Sequence, residues 1–99
     1  MTEALLIVDL QNDFLPGGAL GVKGGEEILP VINELMTKFS LIVATQDWHP
    51  KDHISFAETH GKKVGETIEI DGIKQELWPV HCVKHTPGSQ ISKEINQDL

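Results

Sequence analysis

The hydrophobic pattern changes period twice in the first half of the chain. Residues 4–8 (ALLIV) form a continuous apolar run closed by Asp9, the pattern of a strand buried on both faces of a parallel sheet. Residues 11–25 are glycine-rich and contain Pro16, so they read as a long irregular loop. From Glu26 the period becomes helical: Ile28, Leu29, Ile32, Leu35, Met36 and Phe39 fall on one face. Glu26 and Glu27 suit the positive end of the helix dipole, and Pro30 is tolerated only in the first turn. Residues 41–45 (LIVAT) are a second β-branched run of strand length. Strand, loop, helix and strand make a βαβ unit, which is right-handed in almost all sheets. Ligand sites of such sheets gather beyond the carboxyl ends of the strands. Asp9 and the cluster Gln46-Asp47-Trp48-His49 are therefore expected to share one edge.

Regularity returns at Thr67. Residues 67–70 and 73–77 flank Asp71-Gly72, which predicts a tight hairpin. Trp78-Pro79 ends it, Thr86-Pro87-Gly88 forms another loop, and residues 91–99 (ISKEINQDL) read as a helix. Two central strands are too few for a parallel sheet covered on both faces. The predicted fold class is α/β, an open parallel sheet with flanking helices, incomplete in this chain.

At 99 residues, 39% hydrophobic and 23% charged, the chain has the composition of one small globular domain. A single cysteine excludes an internal disulfide. No apolar run approaches ~18 residues and no signal-peptide pattern opens the sequence, so no membrane partner is expected and the expected compartment is cytoplasmic. Fifteen acidic residues against eight Lys and Arg give a net charge of −7. The basic residues are scattered apart from Lys62-Lys63, which argues against nucleic acid as a partner.

The densest chemistry lies in residues 47–53 (DWHPKDH). Asp47, His49 and His53 place one carboxylate and two imidazoles on a short loop, ligand types that divalent zinc, iron or manganese accept. Solvated loop histidines are the competing reading. His81, in residues 77–82 (LWPVHC), is a further candidate ligand, whereas His60 and His85 lack such company. Asp9 ends an apolar strand, where a carboxylate is costly unless paired or hydrogen-bonded. It is either a functional acid or a structural one that caps a loop amide. Cys82 follows His81, but adjacent side chains of an extended segment point to opposite faces, which favours a small buried apolar role over a nucleophile. Phe14, Trp48 and Trp78 border the polar clusters and can line an aromatic pocket or pack in the core.

Four blocks carry a resemblance. Residues 8–14 (VDLQNDF), 16–20 (PGGAL), 45–50 (TQDWHP) through 53–56 (HISF), and 77–83 (LWPVHCV) with Thr86-Pro87-Gly88 occur in the order found in nicotinamidases and pyrazinamidases. That family belongs to the isochorismatase-like cysteine hydrolases. The resemblance covers nearly the whole chain and implies that residues 1–99 are the N-terminal part of a single domain of that fold. It implies hydrolysis of nicotinamide to nicotinate and ammonia, a step of NAD salvage, by a Cys-Asp-Lys triad through a thioester. Asp9 resembles the triad aspartate, the base that helps form the thiolate. Asp47, His49, His53 and His81 resemble the four ligands of one divalent metal ion, zinc ahead of iron or manganese. Phe14 and Trp78 resemble the aromatic residues against which the substrate ring packs. The implied partners are small aromatic amides, nicotinamide or pyrazinamide, with self-association or a complementing C-terminal half. The triad lysine and nucleophilic cysteine have no counterpart here: Lys84 and Lys93 are off the motif position, and Cys82 matches the non-nucleophilic cysteine after the last ligand. The oxyanion site beside that nucleophile is missing too. A free-standing metal-binding or regulatory module without catalysis is the alternative reading.

Overall fold

The structure is a computed structural model that describes residues 3–95. Strands β1 (Ala4–Ile7) and β2 (Leu41–Ala44) pair in parallel, with Ala4 opposite Leu41 and Ile7 opposite Ala44. Between them helix α1 (Ile28–Met36) packs on one face, as the change of period predicts. It begins two residues later than Glu26, because Gly25–Glu27 form a separate 3₁₀ turn. Pro30 is the third helical residue, where the missing N–H costs no intrahelical bond. Leu29, Ile32 and Met36 meet Ile7, Leu10 and Ile95 in the core.

The expectation that residues 4–8 are buried on both faces is not met. Leu6 and Val8 are 58% and 66% exposed, and Leu41 and Val43 49% and 45%. Helix α1 covers the face of Ile7, while among the described residues no helix covers the other. An apolar run shows that a face suits burial, and the layer that buries it must come from elsewhere.

The hairpin forms as expected. β3 (Thr67–Ile70) pairs antiparallel with β4 (Ile73–Glu76), and Asp71 and Gly72 both take positive φ, 49° and 80°. Two left-handed central residues twist the turn to match the strands, which is why this dipeptide is favoured there. The helix expected over residues 91–99 is absent from residues 91–95. Ile91 bridges antiparallel to Gln11, Asn12 N–H donates to Gln90 O, and Ser92 N–H donates to Leu10 O. These long-range bonds take the backbone groups that a helix would use, and burying Ile95 holds the segment in place. Residues 96–99 lie outside the described residues. No helix among the described residues is long and apolar enough to cross a membrane.

Candidate metal centre

Two backbone pairings assemble the site. His49 N–H donates to Cys82 O at 2.9 Å and Lys84 N–H to His49 O at 2.8 Å, a parallel bridge between His49 and Val83. Six residues on, Trp78 N–H donates to Ser55 O and Ala57 N–H to Trp78 O, each at 2.9 Å. Residues 77–84 thus run alongside residues 49–57, and His81 comes to face His49.

Asp47, His49 and His81 converge, with their ligand atoms all within 4.8 Å of one another. His49 Nε2 lies 2.9 Å and His81 Nε2 3.3 Å from the Asp47 carboxylate. This span is close to that of the ligands of a single zinc ion bonded at about 2.0–2.2 Å. The donor chemistry fits as well. His81 Nδ1 sits 2.8 Å from Pro79 O, and a carbonyl can only accept, so Nδ1 carries the proton and Nε2 presents its lone pair. His81 is 6% exposed, which excludes most competing water.

His53 stacks beside His49 with ring centroids 4.1 Å apart, but its nitrogens are used differently. Its Nδ1 accepts from the Ser55 N–H at 3.2 Å and lies 2.6 Å from Ser55 Oγ. It stands next to the three converging donors without joining them. Burial lowers the His53 pKa below its ordinary value of 6.5, the neighbouring imidazoles of His49 and His81 disfavour its charged form further, and Asp47 partly offsets this. The unfolded chain therefore binds this proton more readily. The stability contributed by neutral His53 is complete above pH 6.5 and is lost as pH falls through the lowered folded value. We expect the metal-free chain to melt at lower temperature at pH 5 than at pH 7.5, and His53→Gln to narrow the gap. An equal gap in the variant would count against this origin.

Of the remaining predicted residues, Phe14 meets this centre, through the ring of His81. Asp9 closes β1 with a φ of 52°, rare for a residue with a side chain. Its N–H donates to Thr45 Oγ1 at 3.0 Å, and Thr45 Oγ1 donates back to Asp9 Oδ1 at 2.9 Å. The two strand ends are tied together there, so the expected shared edge is formed. Phe14 approaches His81, with centroids 5.7 Å apart. Trp78 is 38% exposed, and Trp48 turns edge-on to His85 at 5.3 Å. Cys82 is fully buried. Burial, then the carboxylates of Asp47, Asp13 and Asp9, push its thiol up to about 12. Both effects keep the thiol neutral, which disfavours a nucleophilic role.

Phe56 and Gln11 are not singled out by the sequence, whereas Asp13, in the glycine-rich loop, is expected to serve a turn or to support the ligands from outside. Phe56, 0% exposed, has its ring 5.3–5.6 Å from the rings of His49, His53 and His81. Gln11, also 0% exposed, bonds to the backbone of Asp47. Asp13 Oδ2 accepts the Cys82 N–H at 2.8 Å. For Gln11 the one available signal is that it follows a strand end, where a polar residue must find a partner.

No family model matches the chain. It is 52% identical to the nicotinamidase of Acinetobacter baylyi over 94% of its length and 44% of that protein's. It is 43% identical to the nicotinamidase of Escherichia coli over 96% of its length and 46% of that protein's. The chain belongs to the nicotinamidase family. It spans about half the length of the curated relatives it matches and corresponds to the N-terminal half. Among solved nicotinamidase structures it superposes on that of Acinetobacter baumanii with TM-score 0.87 at 49% identity, covering 94% of this chain and 45% of that one. The yeast nicotinamidase bound to the inhibitor nicotinaldehyde gives 0.81 at 42%, covering 92% and 49%. The pyrazinamidase of Pyrococcus horikoshii in complex with zinc gives 0.74 at 44%, covering 99% and 49%. The incomplete α/β sheet is thus the first half of the nicotinamidase fold.

Proposed function

We propose that the whole protein is a cytoplasmic nicotinamidase of NAD salvage, hydrolysing nicotinamide to nicotinate and ammonia, with pyrazinamide as a second substrate. Residues 1–99 form the N-terminal part of its single domain. The observation that carries this reading is the convergence of Asp47, His49 and His81 on one point in a chain similar to nicotinamidases. These residues would hold one divalent ion, zinc ahead of iron or manganese, with the adjacent His53 as the fourth ligand. When bound, the ion holds the pyridine nitrogen of the substrate and so orients the ring.

The chain's own residues do the rest of its share. Phe14 and Trp78 pack against the substrate ring. Asp9, fixed at one carboxylate oxygen by Thr45, takes the proton of the attacking thiol. That thiol, the cysteine that forms the thioester, and the triad lysine come from the C-terminal half. The open face of Leu6, Val8, Leu41 and Val43 supports the same division, since exposed contiguous apolar surface marks an interaction site. The complementing half covers it in the assembled enzyme.

The test is a chimera in which this chain is followed by the second half of the Acinetobacter baylyi relative. The chimera is expected to release ammonia from nicotinamide, whereas the 99-residue chain alone does not. Asp9→Asn in the chimera is expected to lower kcat by on the order of 10²–10⁴. A folded, zinc-loaded chimera without activity would overturn the reading.

A further inference from the structure

We propose that Gln11 is a positioning residue of the metal centre, holding Asp47 in place through its backbone. The inference rests on the metal reading above. Gln11 Oε1 accepts the Asp47 N–H at 2.7 Å, and Gln11 Nε2 donates to Asp47 O at 2.8 Å. The second Nε2 proton goes to Ser89 O at 2.7 Å. One carboxamide thus pairs with both backbone groups of a single residue, as a neighbouring strand would. Both of its protons are used, and its orientation is fixed, because exchanging O and N would set the carboxamide oxygen against two carbonyls.

The arrangement is needed because no strand among the described residues reaches Asp47. β2 ends at Ala44, and the backbone bridge to residues 82–84 begins at His49, so Asp47 lies in the gap between two pairings. Gln11 fills that gap from the segment that follows β1, where its own N–H is bonded to Asp9 O at 2.9 Å. It is fully buried, so water cannot substitute for it. His81 is held by a different route, through Pro79 O and through the Asp13 contact to Cys82. Gln11 therefore acts on the carboxylate ligand and not on the imidazole. Among natural side chains only glutamine combines this reach with both a donor and an acceptor. Glutamate lacks the protons, methionine lacks both groups, and asparagine is one methylene short.

Zinc affinity of the 99-residue chain, measured by chelator competition, tests this in a double-mutant cycle. Gln11→Met is expected to weaken zinc binding by about 10- to 100-fold, the range for outer partners of metal ligands. In an Asp47→Ala background the same substitution is expected to cost little more, because the ligand it holds is gone. Equal losses in the two backgrounds would mean a general structural role and overturn the proposal, as would an unchanged affinity for Gln11→Met. Should Gln11→Met not fold, Gln11→Asn runs the same cycle. The wild-type chain gives an independent readout: the Gln11 side-chain amide resonances are expected to move on zinc titration, and static resonances would overturn the proposal. Zinc binding that is absent, or unaffected by Asp47→Ala, would sink the metal reading and this inference together. Asp47-dependent binding insensitive to Gln11 would sink this inference alone.

Discussion

Replacing Asp47 by alanine is expected to abolish tight zinc binding, with a loss on the order of 100-fold or more, and His81→Ala is expected to do the same. Outer-shell changes already cost about 10- to 100-fold, so removing a ligand costs at least the upper end of that range. The two variants should differ in the metal-free state. Asp47 lies within 2.9 Å of His49 Nε2 and 3.3 Å of His81 Nε2, and its side chain is 27% exposed, so its loss relaxes the imidazoles at little cost in packing. His81 is buried against the rings of Phe14, His49 and Phe56, so His81→Ala also leaves a cavity. Thermal unfolding with and without zinc separates the effects. Zinc at a hundredfold above its Kd stabilises the wild-type chain by about 2.7 kcal/mol. That is a rise of roughly 10–20 °C in Tm for a domain of this size. The rise should vanish in both variants. Full zinc stoichiometry and an unchanged rise in Asp47→Ala and His81→Ala would remove the ligand assignment.

What could be read from the sequence follows the range of the interactions. β1, α1 and β2 declare themselves by period, because each is set by neighbours within a few residues. The Asp71-Gly72 hairpin declares itself because its turn needs two left-handed residues. Asp47, His49 and His81 were legible as ligand types at suggestive spacing. Their convergence was not, because it depends on a bridge between His49 and Val83 that no local pattern encodes. The same is true of Gln11, whose partners Asp47 and Ser89 lie 36 and 78 positions away. It also holds for residues 91–95, where pairing with residues 10–12 overrides a helical pattern. The open sheet face was half legible: the run of residues 4–8 reads as buried on both sides, while the count of two central strands already marks the sheet as incomplete in these 99 residues.

Phe56→Ala is expected to be the most damaging single substitution for stability. Phe56 is completely buried, and truncating such a phenylalanine costs about 3–5 kcal/mol in lost transfer energy and unfilled cavity. A small domain has only about 5–15 kcal/mol in total, so a large share of the fold's margin would be lost. The position has a second consequence, because the Phe56 ring is the surface against which the edges of His49, His53 and His81 are set, at 5.3–5.6 Å. Without it the imidazoles gain rotamer freedom that must be lost again on binding a metal, so zinc affinity should fall together with stability. Phe56→Leu separates the two roles: it keeps most of the volume and should cost about 1–2 kcal/mol, while offering no flat face to the imidazoles. Urea unfolding in chelator and in excess zinc measures both. The expected result is a large loss for Phe56→Ala that zinc partly restores, and a small loss for Phe56→Leu with weakened zinc stabilisation. A cost below about 1 kcal/mol for Phe56→Ala would mean that the cavity collapses and that the imidazoles are set by the backbone bridges alone.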